Sequence, residues 1–62
     1  MDSRSVLQEL KRDGWYEVNQ VDSHKQFKHL KKAGWETVPH PKRTIPLGTL
    51  KSIEKQSGIM LK

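Results

Sequence analysis

Apolar residues recur at helical spacing at the two ends of this chain. Near its start, Val6, Leu7 and Leu10 are separated by polar residues and share one face of a 3.6-residue repeat. Ser3 stands ahead of them as an N-cap, Lys11 and Arg12 suit a last turn, and Gly14 suits the left-handed residue that stops a helix. The pattern predicts an amphipathic helix over residues 3–13, with Gln8, Lys11 and Arg12 largely on its wet side. Toward the other end, Leu47, Leu50 and Ile53 repeat the stripe. Pro46 suits the first helical position there, and Gly58 the stop, with Ile59 after it.

Between the helices the period changes. Trp15 to Val21 mixes aromatic and β-branched residues with polar ones and predicts a strand. Either Trp15 and Val21 or Tyr16 and Val18 face its interior. Asp22-Ser23 predicts a short turn into a second strand, about 24–30. Lys31-Lys32-Ala33-Gly34 predicts another turn, and Trp35 to Val38 a short third strand. Turns this close together imply an antiparallel meander. Pro39-His40-Pro41 is expected to leave the sheet, because proline offers no ladder N–H. Helix, three strands, helix is the order of an α+β sandwich, with both helices on one face of a three-stranded antiparallel sheet.

Parity sorts the second strand. Burying Phe27 turns His24, Gln26 and Lys28 outward together, onto the face without helices. His29 shares the parity of Phe27 and is expected to pack, half-buried. Since His24 and His29 face opposite ways, no metal site is expected from the histidines, and no cofactor either. Trp35 and Thr37 take the parity opposite Val38. Trp35 then offers a base-stacking surface, a packing contribution or a piece of a partner interface.

Size and charge narrow the class. The chain has 62 residues, enough for one domain over 1–62. So small a domain buries only about 60% of its unfolded surface and has a thin core, which makes a partner chain plausible on stability grounds. There is no cysteine, which removes a disulfide scaffold and agrees with a reducing compartment. No apolar run has the length of a membrane span or a signal-peptide core, so a soluble cytoplasmic protein is expected. Twelve Lys and Arg against seven Asp and Glu give a net charge of +5, which favours a polyanionic partner, either nucleic acid or an acidic protein. An exposed imidazole on a basic strand is suited to handling a phosphodiester.

Three blocks of residues then stand in a familiar order. They are Ser23-His24-x-Gln26-Phe27-x-His29, Thr37-Val38-Pro39-His40-Pro41, and Ile45-Pro46-x-Gly48-Thr49-Leu50-Lys51-x-Ile53-x-x-Gln56-x-Gly58. With Gly14-Trp15 after the first helix, they resemble the HicA toxin family of bacterial toxin–antitoxin systems over nearly the whole chain. The resemblance implies an α-β-β-β-α fold like that of the double-stranded-RNA-binding domain. It also implies a metal-independent endoribonuclease that cleaves mRNA, and a HicB-like antitoxin that neutralises it in a toxin–antitoxin hetero-oligomer. The family's catalytic histidine, in a Gly-Ser-His turn, maps onto His24. Asp22 stands where the family usually has glycine; Asp tolerates left-handed geometry but brings negative charge beside an incoming phosphate. Leu30 replaces a frequent proline and is expected to lengthen the second strand.

The chemistry follows from RNA carrying its own nucleophile, the 2′-hydroxyl. Neutral imidazole suits the base that removes its proton, so His24 is the candidate catalytic residue. Lys25, Lys28, Lys31 and Lys32 crowd the same region and are expected to attract the RNA backbone. Ser23 either orients a phosphate oxygen or stabilises the turn. His40 either touches RNA or caps the strand exit, and Lys42 joins the candidate RNA contacts or a plain solvated face. Two other classes compete with the enzyme: a non-catalytic module that holds double-stranded RNA by shape, and an interaction protein that docks an acidic partner.

Overall fold

Capping decides where the first helix begins. In the computed structural model, which describes residues 1–61, helix α1 spans Ser3–Asp13. Its N-cap is Asp2, whose Oδ1 accepts the Ser5 N–H at 2.9 Å; the sequence pointed to Ser3. The hydrogen bonds from Ser5 hold the Asp2 carboxyl below its ordinary range. Ser3 is buried in the first turn, where its hydroxyl has a long-range task described below. Gly14 ends α1 with φ of 109°.

Strands β1 (Trp15–Val21), β2 (His24–His29) and β3 (Glu36–Pro39) follow, then helix α2 (Leu47–Ser57). The sheet order is β1-β2-β3, antiparallel throughout. The competition within β1 is settled by a bulge between Glu17 and Asn19. Trp15 is inward and only 2% exposed. The extra residue reverses the alternation beyond it, so Val21 pairs with His24 and turns outward. Tyr16 and Val18 are exposed as well.

The other strand ends differ from expectation for identifiable reasons. β2 stops at His29, and Leu30 is exposed beyond it instead of lengthening the strand. β3 starts at Glu36 and includes Pro39, which pairs with His24. Proline is tolerated there because β3 is an edge strand and the N–H directed toward its neighbour belongs to His40, which donates to Ser23 O, in the turn before β2, at 2.6 Å. Pro46 is the N-cap of α2 and lies just outside it. Leu47 is exposed, and the helix buries Leu50 and Ile53.

Both helices cover the face that carries Phe27. Val6, Leu7 and Leu10 of α1 and Leu50 and Ile53 of α2 share one core with Trp15, Phe27, Val38 and Ile45. Glu36 enters this core too, because it shares the parity of Val38. It is 1% exposed, its Oε2 lacks a hydrogen-bond partner, and burial pushes its carboxyl up to about 7. Among the described residues, no element covers the opposite sheet face. No described helix is long and apolar enough to cross a membrane.

Candidate functional site

The Asp22-Ser23 turn sets His24 at the open end of β2. Asp22 has φ of 54°, left-handed geometry that a short polar side chain tolerates. Its carbonyl accepts the Gln20 side-chain amide at 3.0 Å. Val21 and Pro39 flank His24 across the sheet. The ring of His24 is exposed on the helix-free face, and among the described residues no hydrogen bond engages it.

The other two histidines are engaged by the protein. His29 Nδ1 accepts the backbone N–H groups of Lys31 and Lys32 at 2.9 and 3.2 Å. That nitrogen is therefore unprotonated, and Nε2–H donates to Asp13 O at 2.8 Å. The ring meets Trp15 edge-on, with centroids 5.3 Å apart. A Cβ on Gly14 would lie 2.8 Å from His29 Nε2, so close approach as well as positive φ calls for glycine there. His40 Nδ1 lies 2.7 Å from Ser3 Oγ. The same oxygen accepts the Lys42 N–H at 2.9 Å, and which partner donates in its bond to His40 follows the imidazole tautomer. His40 thus fastens the strand exit to α1, beside an open cleft of about 370 Å³ that Arg4, Lys42 and Arg43 also line.

The lysines divide in the same way. Lys25 alternates onto the Phe27 face, where Glu17 takes its ammonium at 3.1 Å and Gln20 at 2.9 Å. Lys32 Nζ sits 2.6 Å from Asp13 Oδ2 and 2.9 Å from Ser57 O, linking the C-terminal ends of both helices. The Lys32 hydrogen bond holds the Asp13 carboxyl below its ordinary range. These two lysines do not gather around His24 as their sequence positions suggested. Lys28 does share its face, with Nζ 4.9 Å from the centre of the Trp35 ring. Lys31 and Lys42 are exposed, Lys42 at the cleft and Lys31 beyond the far end of β2.

The row Tyr16–Lys28–Trp35 escaped residue-by-residue reading. Tyr16 pairs with Lys28 in the register, and Lys28 touches Trp35. Its signal is cross-strand: each member lies next to an inward residue, Trp15, Phe27 or Glu36, so all three face out together.

The model of a family described as "HicA toxin of bacterial toxin-antitoxin" matches residues 3–59. No curated protein matches the sequence. A solved structure entitled "HicA3 and HicB3 toxin-antitoxin complex" is similar to this chain with a TM-score of 0.84, at 24% identity, over 100% of both chains. At that identity the likeness is one of fold, and it extends to the α-β-β-β-α order.

Proposed function

The chain belongs to the HicA toxin family of bacterial toxin–antitoxin systems, and on that premise we propose that it is a metal-independent endoribonuclease that cuts mRNA with His24 as general base. The observation that carries this reading is the state of the three histidines. His29 and His40 hold the fold together, while His24 keeps both ring nitrogens for a substrate on the open face. In the proposed step, His24 accepts the proton of a 2′-hydroxyl as that oxygen attacks the neighbouring phosphorus. The bond to the 5′-oxygen breaks, leaving a 2′,3′-cyclic phosphate and a 5′-hydroxyl. The leaving oxygen takes its proton from the imidazolium after it has shifted, or from water. Ser23 and Lys28 flank the path of the backbone. An mRNA substrate puts this work in the cytoplasm.

The partner follows from the same premise. The similar solved structure pairs its HicA with a HicB. A HicB-type antitoxin is proposed to restrain this chain in the same manner, its acidic surface meeting a net charge of +5.

Incubating pure protein with end-labelled RNA in EDTA tests the enzymatic reading. Cleavage to cyclic-phosphate ends, lost in His24→Ala with an unchanged circular-dichroism spectrum, is the expected result. Undiminished cleavage by that variant would overturn the role of His24. Retardation of the RNA without cleavage by the unaltered protein would favour the non-catalytic binding module.

A further inference from the structure

We propose that the uncovered sheet face is a binding platform for single-stranded RNA, with bases stacking on Tyr16 and Trp35 and Lys28 between them taking a phosphate. The proposal builds on the reading of His24 as the cutting residue, since it describes how the substrate reaches that residue.

The core of this protein is thin, yet it leaves two aromatic rings in water. Trp35 is 54% exposed and Tyr16 44% exposed. They are not scattered. Tyr16 stands opposite Lys28, and Lys28 extends its ammonium to the Trp35 ring, so the three form one row from β1 across β2 to the residue just before β3. Such a row offers flat π-surfaces to bases and a cation to the backbone, the combination that single-strand binders use. A duplex keeps its base faces stacked inside and cannot use those rings.

Charge on this face agrees. The carboxylates of the strands, Glu17 and Glu36, lie on the helix-covered side, Glu17 bound to Lys25 and Glu36 buried. Outward positions of β2 and β3 between the row and His24 carry Gln26 and Thr37, which pair with one another and offer hydrogen bonds to base edges. Asp22, in the turn beyond His24, is the nearest acid along the chain. An acid-poor strip with a lysine at its centre suits a polyanion better than an acid-bearing protein surface of mixed charge. His24 lies four residues along β2 from Lys28, about 13 Å at strand rise. About four stacked nucleotides cover that distance at about 3.4 Å each, and fewer cover it when extended. The platform would thus hold one stretch of a strand while a neighbouring phosphodiester sits at His24.

Binding can be measured without cleavage and without touching His24. An unstructured 2′-O-methyl oligoribonucleotide lacks the nucleophile, so the unaltered protein cannot cut it whichever residue is the base. Titrating it should quench the emission of exposed Trp35, while Trp15, 2% exposed, stays silent. Trp35→Ala should weaken binding by about 5- to 100-fold, and Trp35→Phe should restore most of it. Lys28→Gln should lower the salt slope by about one. A blunt duplex of the same sequence should bind more weakly and leave the emission unchanged. Equal binding of the single strand by Trp35→Ala, or equal quenching by the duplex, would overturn the proposal. So would a Trp35→Ala variant that keeps its RNA affinity but loses its hold on the antitoxin, which would assign the face to a protein partner. If instead Trp35→Ala loses binding while His24→Ala still cuts, the catalytic reading falls and the platform stands.

Discussion

Strand β2 carries a histidine at each end, and the two have opposite fates. His29 turns toward the helices, where Asp13, the Lys31 and Lys32 amides and Trp15 surround it. His24 turns away from them, and among the described residues nothing binds its ring. One strand, five positions apart, gives one imidazole to the fold and leaves the other without a partner among the described residues. The residue type alone does not decide which. The number of ring nitrogens already holding a partner does.

The largest expected difference between the two ends is in catalysis. His24→Ala should lower the cleavage rate by about 100-fold or more while leaving the melting temperature within about 2 °C of the parent, as gel assay and calorimetry would show. His29→Ala should do the reverse. Losing the ring's packing and its three hydrogen bonds should destabilise the domain by about 2–3 kcal/mol, a fall of roughly 10 °C or more, with cleavage per folded molecule retained. Similar effects of the two variants on both readouts would dissolve the distinction.

The inner face offers a second contrast through pH. Glu36 has its carboxyl raised from 4.5 to about 7, so between those values the folded protein binds a proton that the unfolded chain has released. Its contribution is therefore fully present below about 4.5 and is lost as pH rises through about 7. Denaturation at pH 5 and pH 8 should differ by about 2 kcal/mol from this residue, and Glu36→Gln should remove most of that difference. A variant with an unaltered pH profile would show that the loss arises elsewhere. The smallest effect is expected at Lys25, adjacent to His24 in sequence but bound to Glu17 on the other face. Lys25→Gln should change cleavage by less than about two-fold, whereas Lys28→Gln should raise the KM for RNA several-fold. A large loss at Lys25 would mean that its bond to Glu17 opens for substrate.

Much of this arrangement is legible in the sequence. Helical spacing, the two stop glycines and the parity of Phe27 gave the element order and turned His24 outward. The features that escaped depend on partners far along the chain. The bulge at Val18 reverses the face of Val21, and no local pattern marks it. Asp2 and Ser3 are both good caps; the burial of Ser3 against His40 and Lys42 leaves the task to Asp2. Pro39 stays in the sheet because β3 is an edge strand whose outer N–H is not needed. Lys25 and Lys32 stand in a basic cluster along the sequence, but each is drawn away by a carboxylate distant in the chain, Glu17 and Asp13. Glu36 has the parity of Val38, but the depth of its burial depends on how the helices close over it.

The Ser3 hydroxyl has a consequence for the chain as a closed curve. With Ser3 N–H to Lys42 O and Ile45 N–H to Met1 O, it clasps the first residues to positions 40–45 and makes a ring of everything between. Closing so long a ring costs only logarithmically more entropy than closing a short one. A single cluster of partly buried bonds is enough to hold it. When the clasp opens, the β1–β2 ladder has no reason to part, because its pairing is local in sequence. The Ser3, Lys42 and Ile45 amides that form the clasp are therefore expected to exchange ahead of those of the β1–β2 ladder, an order that amide-exchange measurements would check.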